Sequence, residues 1–573
     1  MKKILTYYLK PYYFRMSIGF IIKFIGSIMD LCLPWILAYM IDTIIPIKDK
    51  NQIYLWGLIM IFCSFLAVSF NIIANRMASK VARDTTEHIR NDLFEKVMYL
   101  SESYIDTYTK PSIMSRLTTD TYNVHQMIGR IQRLGVRAPI LLIGGICVTL
   151  TLDPVLSCVL IFTLPFLAWI MFKVSQKSIP MYTKLQQSID CFVRIVREDI
   201  SGIRVIKALS KENYERKRFE SINHKVVEEE QKAGMLMARI DPSVSIIMNL
   251  ALVGVLIVGA FRVHNGLSEV GKILAFMTYF TIILNAMISI SKMFIIMSKA
   301  IASANRIDEI LELKEDMAIK DCLSSYENQA YHIAFEDVSF SYNKGEEKDL
   351  ENISFKIKQG ETLGILGGTG SGKSTIISLL LRFYDVDHGH ILINGSDIRS
   401  IPLKALRSKF GVVFQNDMIF EDTIFENVNL GRNLREEEIE EALFYARAKE
   451  FVEQKANHLE ENLEIKGANL SGGQKQRILI ARALAAHPEI LVLDDSSSAL
   501  DYKTDAMLRQ ELNKYFKDTT KIIVAQRVSS VMQADHIIVL EEGKVIGYGK
   551  HEELLEQCAS YKEISRLQMG GVA

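Results

Sequence analysis

Long apolar runs alternate with charged segments over about the first 300 residues of the chain. Six runs are long enough for a helix to cross a bilayer, which takes about 20 residues. They lie at 17–43, 53–75, 136–152, 155–175, 241–261 and 273–295. Asp153 and Pro154 break the third and fourth runs into a hairpin. The pattern predicts a membrane α-helical bundle of six transmembrane helices.

The loops between these spans differ in basic charge. Those after the first, third and fifth spans are short with few basic residues, whereas the other two are long and basic. The first long loop carries Arg76, Lys80, Arg83, Arg90, Lys96, Lys110, Arg116, Arg130 and Arg133. By the positive-inside rule, both long loops and both termini are predicted to be cytoplasmic. The chain is thus predicted to be a multi-pass protein of the cell membrane.

Both long loops show helical periodicity over about 60 to 70 residues and contain few helix breakers. Two helices of about 30 residues each would reach on the order of 45 Å below the membrane. The spans are therefore predicted to continue as long cytoplasmic extensions.

A polar connector at residues 301–330 separates the apolar part from a soluble-looking remainder. We place a transmembrane domain at 1–305, a linker at 306–330 and a C-terminal α/β domain at 331–573. Asp30 and Asn285 interrupt the first and sixth spans, and we expect both to face the bundle interior. Hydrogen bonding between helices is their favoured role, with substrate contact as the alternative.

Composition agrees with this division. The 573 residues are 49 % hydrophobic and 23 % charged, with a mean hydropathy of +0.14. The formal net charge is zero, so the charge balance gives no indication of a nucleic-acid partner. The seven cysteines include no Cys-x-x-Cys pair, and we interpret them as small buried hydrophobes in a reducing compartment.

A glycine-rich turn, "GGTGSGKST", lies between a β-like run and a helical run in residues 362–384. Its spacing is that of a phosphate loop, in which backbone N–H groups surround phosphates at a helix N-terminus. The predicted phosphate-binding residues are Gly367, Gly368, Thr369, Gly370, Ser371, Gly372, Lys373, Ser374 and Thr375. Lys373 is predicted to pair with the β- and γ-phosphates, and Ser374 to ligate Mg²⁺.

A second motif, "LSGGQ" at residues 470–474, precedes the helical stretch "KQRILIARAL". With both motifs, the chain resembles the ATP-binding cassette (ABC) transporters, and its layout resembles a multidrug-exporter half-transporter. The resemblance covers essentially the whole chain. It implies a P-loop NTPase cassette that uses ATP and Mg²⁺, and an ATP hydrolase coupled to transport across the lipid bilayer.

The resemblance also assigns roles to single residues. Tyr342 in "FSYNKG" matches the aromatic residue that stacks on adenine. Gln415 in "VVFQND" matches the glutamine that contacts Mg²⁺, and Asp494 matches the carboxylate that holds the water shell of the metal. "SALD", 498–501, matches the loop that crosses to a second cassette and includes Asp501.

Cassettes of this family work in pairs, with each ATP between one phosphate loop and the LSGGQ of the other cassette. The resemblance therefore implies a second ABC half-transporter as partner. Ser471, Gly472, Gly473 and Gln474 are then predicted to bind the nucleotide of that partner. The helix that they open has an N-terminal dipole that favours a γ-phosphate.

Two positions depart from the family pattern. Asp495 stands where the family has the catalytic glutamate, and its carboxylate is on the order of 1 Å short of the attacking water, which can cost about 100-fold in rate. Gln526 stands where the family has the switch histidine, and a neutral amide adds no positive charge in the transition state. Asp495, Gln526 and Gln415 are the predicted catalytic positions.

The phosphate loop, Asp494 and LSGGQ are intact, which favours a protein with a specialised function over one that has lost its activity. We hypothesise that the chain binds ATP at a degenerate, slow site and supplies LSGGQ to the productive site of a heterodimeric partner with an altered signature. A homodimer that hydrolyses ATP weakly and acts as a nucleotide-gated regulator or sensor is the alternative. A small, apolar substrate is expected, and export itself follows from the resemblance alone.

Overall fold

The computed structural model describes residues 2–314, 317, 319, 330–342, 348–496 and 499–569. The chain divides into two compact units. The first unit is Met1–Tyr99 with Lys110–Leu313, and the second is Leu100–Thr109 with Lys314–Ala573. Most of the predicted linker, residues 315–316, 318 and 320–329, lies outside the described residues. The exact domain boundaries remain a prediction.

The first unit is all helical. Its α-helices are α1 (Lys2–Leu9), α2 (Tyr13–Tyr39), α3 (Ile45–Ile47), α4 (Lys50–Met98), α6 (Lys110–Ser115), α7 (Thr121–Arg130), α8 (Val136–Leu152), α9 (Pro154–Ser201), α10 (Ile203–Ala208), α11 (Glu212–Ala238), α12 (Ile240–His264) and α13 (Val270–Leu311). Helix α5 (Glu102–Tyr108) belongs to the second unit. Single π-helical turns at Met40–Ile44, Arg116–Asp120 and Ile131–Gly135 connect several of these helices.

Apolar segments coincide with all six predicted spans. Among the described residues, five have the length and composition to cross a membrane: Thr6–Ile47, Lys50–Met98, Lys110–Leu152, Ser245–His264 and Val270–Ile290. The segment for the fourth span, Pro154–Ile170, is shorter, and α9 continues beyond it without a break. The side chain of Asp153 caps α9 by accepting from the N–H groups of Val155 and Leu156, which explains the predicted hairpin.

Helices α4 and α9 carry the predicted extensions. They contain 49 and 48 residues, so each is about 70 Å long at 1.5 Å per residue. A helix of this length spans the hydrocarbon and continues well past it.

The two polar side chains that were predicted to face the bundle interior, Asp30 and Asn285, differ in their surroundings. Asp30 accepts hydrogen bonds from Arg137 and Asn71, as expected for bonding between helices. Asn285 is exposed in the single chain, so its predicted inward orientation is wrong for this bundle. Its neighbours Ile283, Leu284 and Ala286 occupy the buried face of α13.

The cysteines also differ from expectation. The six that the structure describes are free, but only Cys558 is buried, and Cys147 and Cys158 are exposed on apolar helices. They are small apolar side chains on surfaces of α8 and α9 that the bundle leaves uncovered. Cys322 lies outside the described residues.

The second unit contains two sheets. The strands are β1 (Ile333–Phe340), β2 (Leu350–Ile357), β3 (Thr362–Gly367), β4 (His388–Ile393), β5 (Ser396–Asp397), β6 (Phe410–Val413), β7 (Ile490–Asp494), β8 (Thr520–Ala525), β9 (His536–Glu541) and β10 (Lys544–Gly549). The six-stranded sheet has the order β10-β9-β3-β8-β7-β6 and is parallel except for β10 at its edge. The four-stranded antiparallel sheet has the order β2-β1-β4-β5.

Helices pack around these sheets. They are α14 (Lys373–Leu380), α15 (Leu403–Arg407), α16 (Ile424–Asn429), α17 (Glu436–Tyr445), α18 (Lys449–Glu453), α19 (Gly472–Leu484), α20 (Tyr502–Tyr515), α21 (Val528–Val531), α22 (His551–Gln557) and α23 (Ala559–Met569). Strands β3 and β7 are buried almost throughout, as expected for a parallel sheet covered on both faces. The predicted fold class, a membrane helical bundle with a C-terminal α/β cassette, is confirmed.

Candidate nucleotide site

The strand order of the larger sheet brings the predicted motifs together. The phosphate loop follows β3, Asp494 ends β7 and Gln526 follows β8, which lies between those two strands. Ligand sites of parallel sheets form at the carboxyl ends of the strands. A cavity of about 290 Å³ lies there, lined by Asp349, Thr369, Gly370, Gly372, Lys373, Ser374, Thr375, Gln415, Asp494, Asp495, Val524, Ala525 and Gln526.

Glycine is required in the phosphate loop at two positions. Gly372 has φ +97°, and a Cβ there would lie 2.6 Å from Leu350 Cδ2. A Cβ on Gly367 would lie 2.5 Å from both Leu540 O and Ser371 Oγ. Without Cβ atoms at these two positions, the backbone of the loop packs against Leu350 and Leu540 and continues directly into α14.

The loop fits the phosphates of ATP. The Lys373 ammonium donates to the carbonyl oxygens of Gly367 and Gly368 at 2.9 and 2.5 Å. Burial lowers the pKa of Lys373, while Asp494 and Asp495 oppose that shift. Within the described residues, the buried hydroxyl of Ser371 has no hydrogen-bond partner. Phosphate oxygens would supply an anion to Lys373 and an acceptor to Ser371.

Two oxygen-bearing side chains fit the predicted magnesium position. Ser374 Oγ donates to Asp494 Oδ2 at 3.1 Å, and Asp494 is 5 % exposed. Burial raises the pKa of the Asp494 carboxyl, with the nearby Asp495 adding to the shift. A hydroxyl beside a buried carboxylate is an oxygen pair of the kind that Mg²⁺ prefers.

The two departures from the family pattern line the same cavity. Asp495 has φ +50°, and its N–H donates to Val524 O at 2.9 Å. The side-chain amide of Gln415 donates to Asp495 Oδ2 at 3.4 Å, so Gln415 faces the predicted base in the cavity that Asp494 and Ser374 also line. The carbonyl of Gln526 accepts from Gln568 Nε2 at 2.9 Å, which ties the turn after β8 to α23.

Tyr342 does not line the cavity itself. Its hydroxyl donates to Thr375 Oγ1 at 3.3 Å, and its ring is 42 % exposed. The ring packs edge-on against Tyr384 at 5.0 Å between centroids, and the Tyr384 hydroxyl donates to Asp106 Oδ2 at 2.5 Å. Tyr342 is thus fixed beside the phosphate loop with ring surface left to stack on a base.

Two residues near this site were missed by sequence reasoning. Asp349 lines the cavity, and its carboxylate accepts from the Tyr342 N–H at 2.9 Å. Tyr384 is the last residue of the segment 362–384 that contains the phosphate loop. The aromatic pair in "RFYDVD" was the available signal, but no spacing rule connects it with Tyr342.

The signature motif lies outside this cavity, at the start of α19. Ser471 Oγ accepts from the Gln474 N–H at 3.3 Å, while Gln474 Oε1 accepts from the Ser471 N–H at 3.0 Å. This reciprocal capping box orders the helix N-terminus. Cβ atoms on Gly472 and Gly473 would lie 3.3 and 3.2 Å from atoms of Ala499.

The predicted crossing loop adjoins the signature helix. The Ala499 N–H donates to Gln476 Oε1 on α19 at 3.1 Å. Asp501 caps α20 by accepting from the N–H and hydroxyl of Thr504 at 2.9 and 2.7 Å, and these bonds lower its pKa. Ser498, the first residue of "SALD", lies outside the described residues.

Comparisons with known proteins match both the membrane unit and the cassette to ABC transporters. Residues 16–287 match the family of the ABC transporter transmembrane region, and residues 350–498 match the ABC transporter family. The uncharacterised ABC transporter ATP-binding protein YfiB of Bacillus subtilis is 35 % identical, with 100 % of this chain and 99 % of that protein covered. An ATP-dependent lipid A-core flippase of Methylobacillus flagellatus is 29 % identical, with 91 % and 88 % covered.

A solved structure extends the comparison to the fold. A bacterial Atm1-family ABC exporter with ATP bound superposes with a TM-score of 0.83 at 22 % identity, covering 97 % of this chain and 99 % of that one. The membrane domain and the cassette are thus joined in one chain as in an exporter half-transporter, with the cassette on the cytoplasmic side. This chain belongs to the ABC transporter family.

Proposed function

We propose that this chain is the degenerate-site subunit of a heterodimeric exporter. As a member of its family it is a subunit of an ATP-driven exporter that works as a dimer in the lipid bilayer. The observation that carries the finer proposal is the pairing of Asp495 and Gln526 in one cavity. Both replace groups that accelerate hydrolysis, while the residues that hold nucleotide beside them are retained.

ATP binding in this cavity rests on the phosphate loop. Lys373 and Ser371 bind phosphate oxygens, and Tyr342 stacks on the adenine. Ser374, Asp494 and Gln415 hold Mg²⁺, which supplies charge neutralisation at the phosphates when it is bound. Asp495 orients water poorly, because its carboxylate is one methylene short of the position that glutamate reaches.

The contribution to the partner comes from α19. Ser471, Gly472, Gly473 and Gln474 offer a capped helix N-terminus to the γ-phosphate held by the other cassette, and Asp501 lies on the loop that crosses to it. Hydrolysis at that second site then depends on a partner that carries glutamate and histidine at the positions of Asp495 and Gln526. Its own signature is altered, since it completes the slow site.

The transported molecule is proposed to be small and largely apolar. The homodimeric regulator is not favoured, because both the membrane domain and the cassette match transporter families.

ATP hydrolysis by the purified chain, alone and with its co-expressed partner, tests the proposal. We expect the chain alone to hydrolyse ATP slowly, and the pair to hydrolyse it rapidly with little change on Asp495→Asn. Rapid hydrolysis by the isolated chain that Asp495→Asn abolishes would contradict the asymmetric site.

A further inference from the structure

A cluster of charged and amide side chains lies within the membrane unit, where α2, α4 and α8 meet. Arg137 donates to Asp30 Oδ2 at 2.9 Å, and Asn71 donates to the same oxygen at 3.3 Å. Two turns earlier on α2, Lys23 is 3 % exposed and donates to Asn75 Oδ1 at 2.9 Å. The buried ammonium is therefore hydrogen-bonded to a neutral amide.

Positive charge exceeds negative charge in this cluster. Lys23 and Arg137, which both lie in the predicted spans, share the one carboxylate of Asp30, and Arg133 of the cytoplasmic loop adds further positive charge at Lys23. Within the part of the chain that the structure describes, Arg137 Nε is buried and has no hydrogen-bond partner. Net charge in hydrocarbon is costly, and a buried donor without an acceptor adds to that cost. An anion from outside the chain would relieve both.

An apolar groove of about 730 Å³ runs beside this cluster along α2 and α8. Its walls include Phe24, Ile28, Leu31, Trp35, Ile140 and Ile143. On α8 the groove extends from Pro139 to Thr151, about 18 Å at 1.5 Å per residue. Arg137 is 41 % exposed and lies two residues before Pro139, and its partner Asp30 lies between two wall residues of α2.

The groove and the cluster together select one chemical class. We propose that the groove binds an amphiphile from the cytoplasmic leaflet, with an anionic headgroup at Arg137 and an acyl chain along the apolar wall. This inference rests on the proposed export function and narrows its largely apolar substrate to one that carries a negative charge. A neutral lipid would leave the excess positive charge uncompensated, and a cationic amphiphile would be repelled.

Trp35 lies in the groove and reports on occupancy without ATP hydrolysis. The chain has two other tryptophans, Trp56 and Trp169, which are replaced by phenylalanine for the measurement. In the purified full-length chain, dibromostearate should quench Trp35 emission at about 10-fold lower concentration than its methyl ester, because a charge-assisted hydrogen bond contributes about that factor. Equal quenching by acid and ester would overturn the proposal.

Variants at Arg137 test the headgroup contact. Arg137→Gln should remove the preference for acid over ester, and Arg137→Lys should retain part of it. Since Arg137→Gln leaves Asp30 without its cation, the double variant Asp30→Asn/Arg137→Gln serves as the matched control. If this double variant keeps the full preference for the acid, Arg137 only neutralises Asp30 and the proposal is wrong.

The same titration on the assembled transporter separates a binding groove from a subunit contact. Quenching that persists in the assembly supports binding of the amphiphile. Quenching that disappears means that a helix of the partner fills the groove, which overturns the proposal. Because the readout is fluorescence, failure of the asymmetric-site function would leave these results unchanged.

Discussion

The signature helix keeps all five residues of "LSGGQ", whereas the phosphate-loop cavity has Asp495 and Gln526 where the family pattern has glutamate and histidine. At α19, Ser471 and Gln474 cap each other, and Gln476 holds Ala499 against the two glycines. In the cavity, Lys373 and Ser374 are held by hydrogen bonds to Gly367 O and Asp494 Oδ2, but Asp495 and Gln526 stand at the positions of the expected base and switch. Under the proposed function, nucleotide binding and nucleotide hydrolysis depend on separate residues, so one is weakened while the other is retained.

The largest effect should come from the signature helix. Gly473→Val would place a Cβ 3.2 Å from Ala499 O and a branched side chain in front of the helix N-terminus. Loss of backbone donors at a phosphate should lower hydrolysis by the assembled transporter about 100-fold or more. Steady-state phosphate release from the co-purified pair measures this effect.

Asp495→Asn in the same pair is the matched control, because it alters the other site of the same chain. We expect a change of less than about twofold in total hydrolysis, since the slow site contributes little turnover. A larger loss from Asp495→Asn than from Gly473→Val would reverse the assignment of the two sites.

Restoring the family residues should have the next largest effect. The double variant Asp495→Glu/Gln526→His returns a longer carboxylate and a titratable ring to a cavity that already binds ATP. Hydrolysis by the isolated chain, which has intact signature helices to complete a homodimer, should rise about 100-fold. The single variants, measured in parallel, should each give a smaller gain.

Asp495→Asn/Gln526→Asn has the same number of changes without either catalytic group. No gain is expected from it. A restored chain that stays as slow as this control would mean that Asp495 and Gln526 do not limit hydrolysis.

Adenine stacking should have an intermediate effect. Tyr342→Ala removes the exposed ring, and stacking of one base on an aromatic side chain is worth about 1–3 kcal/mol. We expect ATP affinity to fall about 10-fold, measured by equilibrium binding of a fluorescent ATP analogue to the purified chain. Tyr342→Phe should bind like the unmodified chain, because only the hydroxyl bond to Thr375 is lost; equal loss in both variants would rule out a stacking role.

The fold class could be read from the sequence because its signals are long and repetitive. Apolar runs separated by basic loops determine the spans, and Asp153 with Pro154 ends one helix and begins the next. The orientation of single side chains was harder to predict. Asn285 was expected to face the bundle interior because burying an amide in hydrocarbon is costly, yet α13 buries the neighbours of Asn285 instead. A single sequence does not show which helix packs against a given face.

The nucleotide site shows the same division. The phosphate loop, Asp494 and Gln526 follow neighbouring strands, so motif and strand order together predict that they meet. Asp349 lies just before β2 and Tyr384 in the bend that follows α14, and their contacts with Tyr342 depend on tertiary packing. Motif spacing identifies groups that contact a ligand, but not the groups that hold those groups in place.

Tyr384 provides the smallest and last test of the comparison. Tyr384→Phe removes the hydroxyl that donates to Asp106 and leaves the ring against Tyr342 unchanged. Burial and the bond to Asp106 both raise the pKa of Tyr384, so the hydroxyl stays protonated and donates near neutral pH. Its loss should lower the free energy of unfolding by about 1 kcal/mol, seen as a lower Tm, with ATP affinity unchanged.

Tyr445→Phe is a suitable control, since its hydroxyl donates to Glu441 within one exposed helix turn. That variant should change the Tm less than Tyr384→Phe, because its bond joins residues four apart in one helix, whereas the Tyr384 bond joins residues 278 apart in the chain. If Tyr384→Phe instead weakens ATP binding as much as Tyr342→Ala, the hydroxyl bond to Asp106 is what holds the adenine-facing ring in place. The residues that support ATP binding would then include Asp106 on α5 as well as those of the cavity. Asp495 and Gln526 would remain the positions that affect hydrolysis alone.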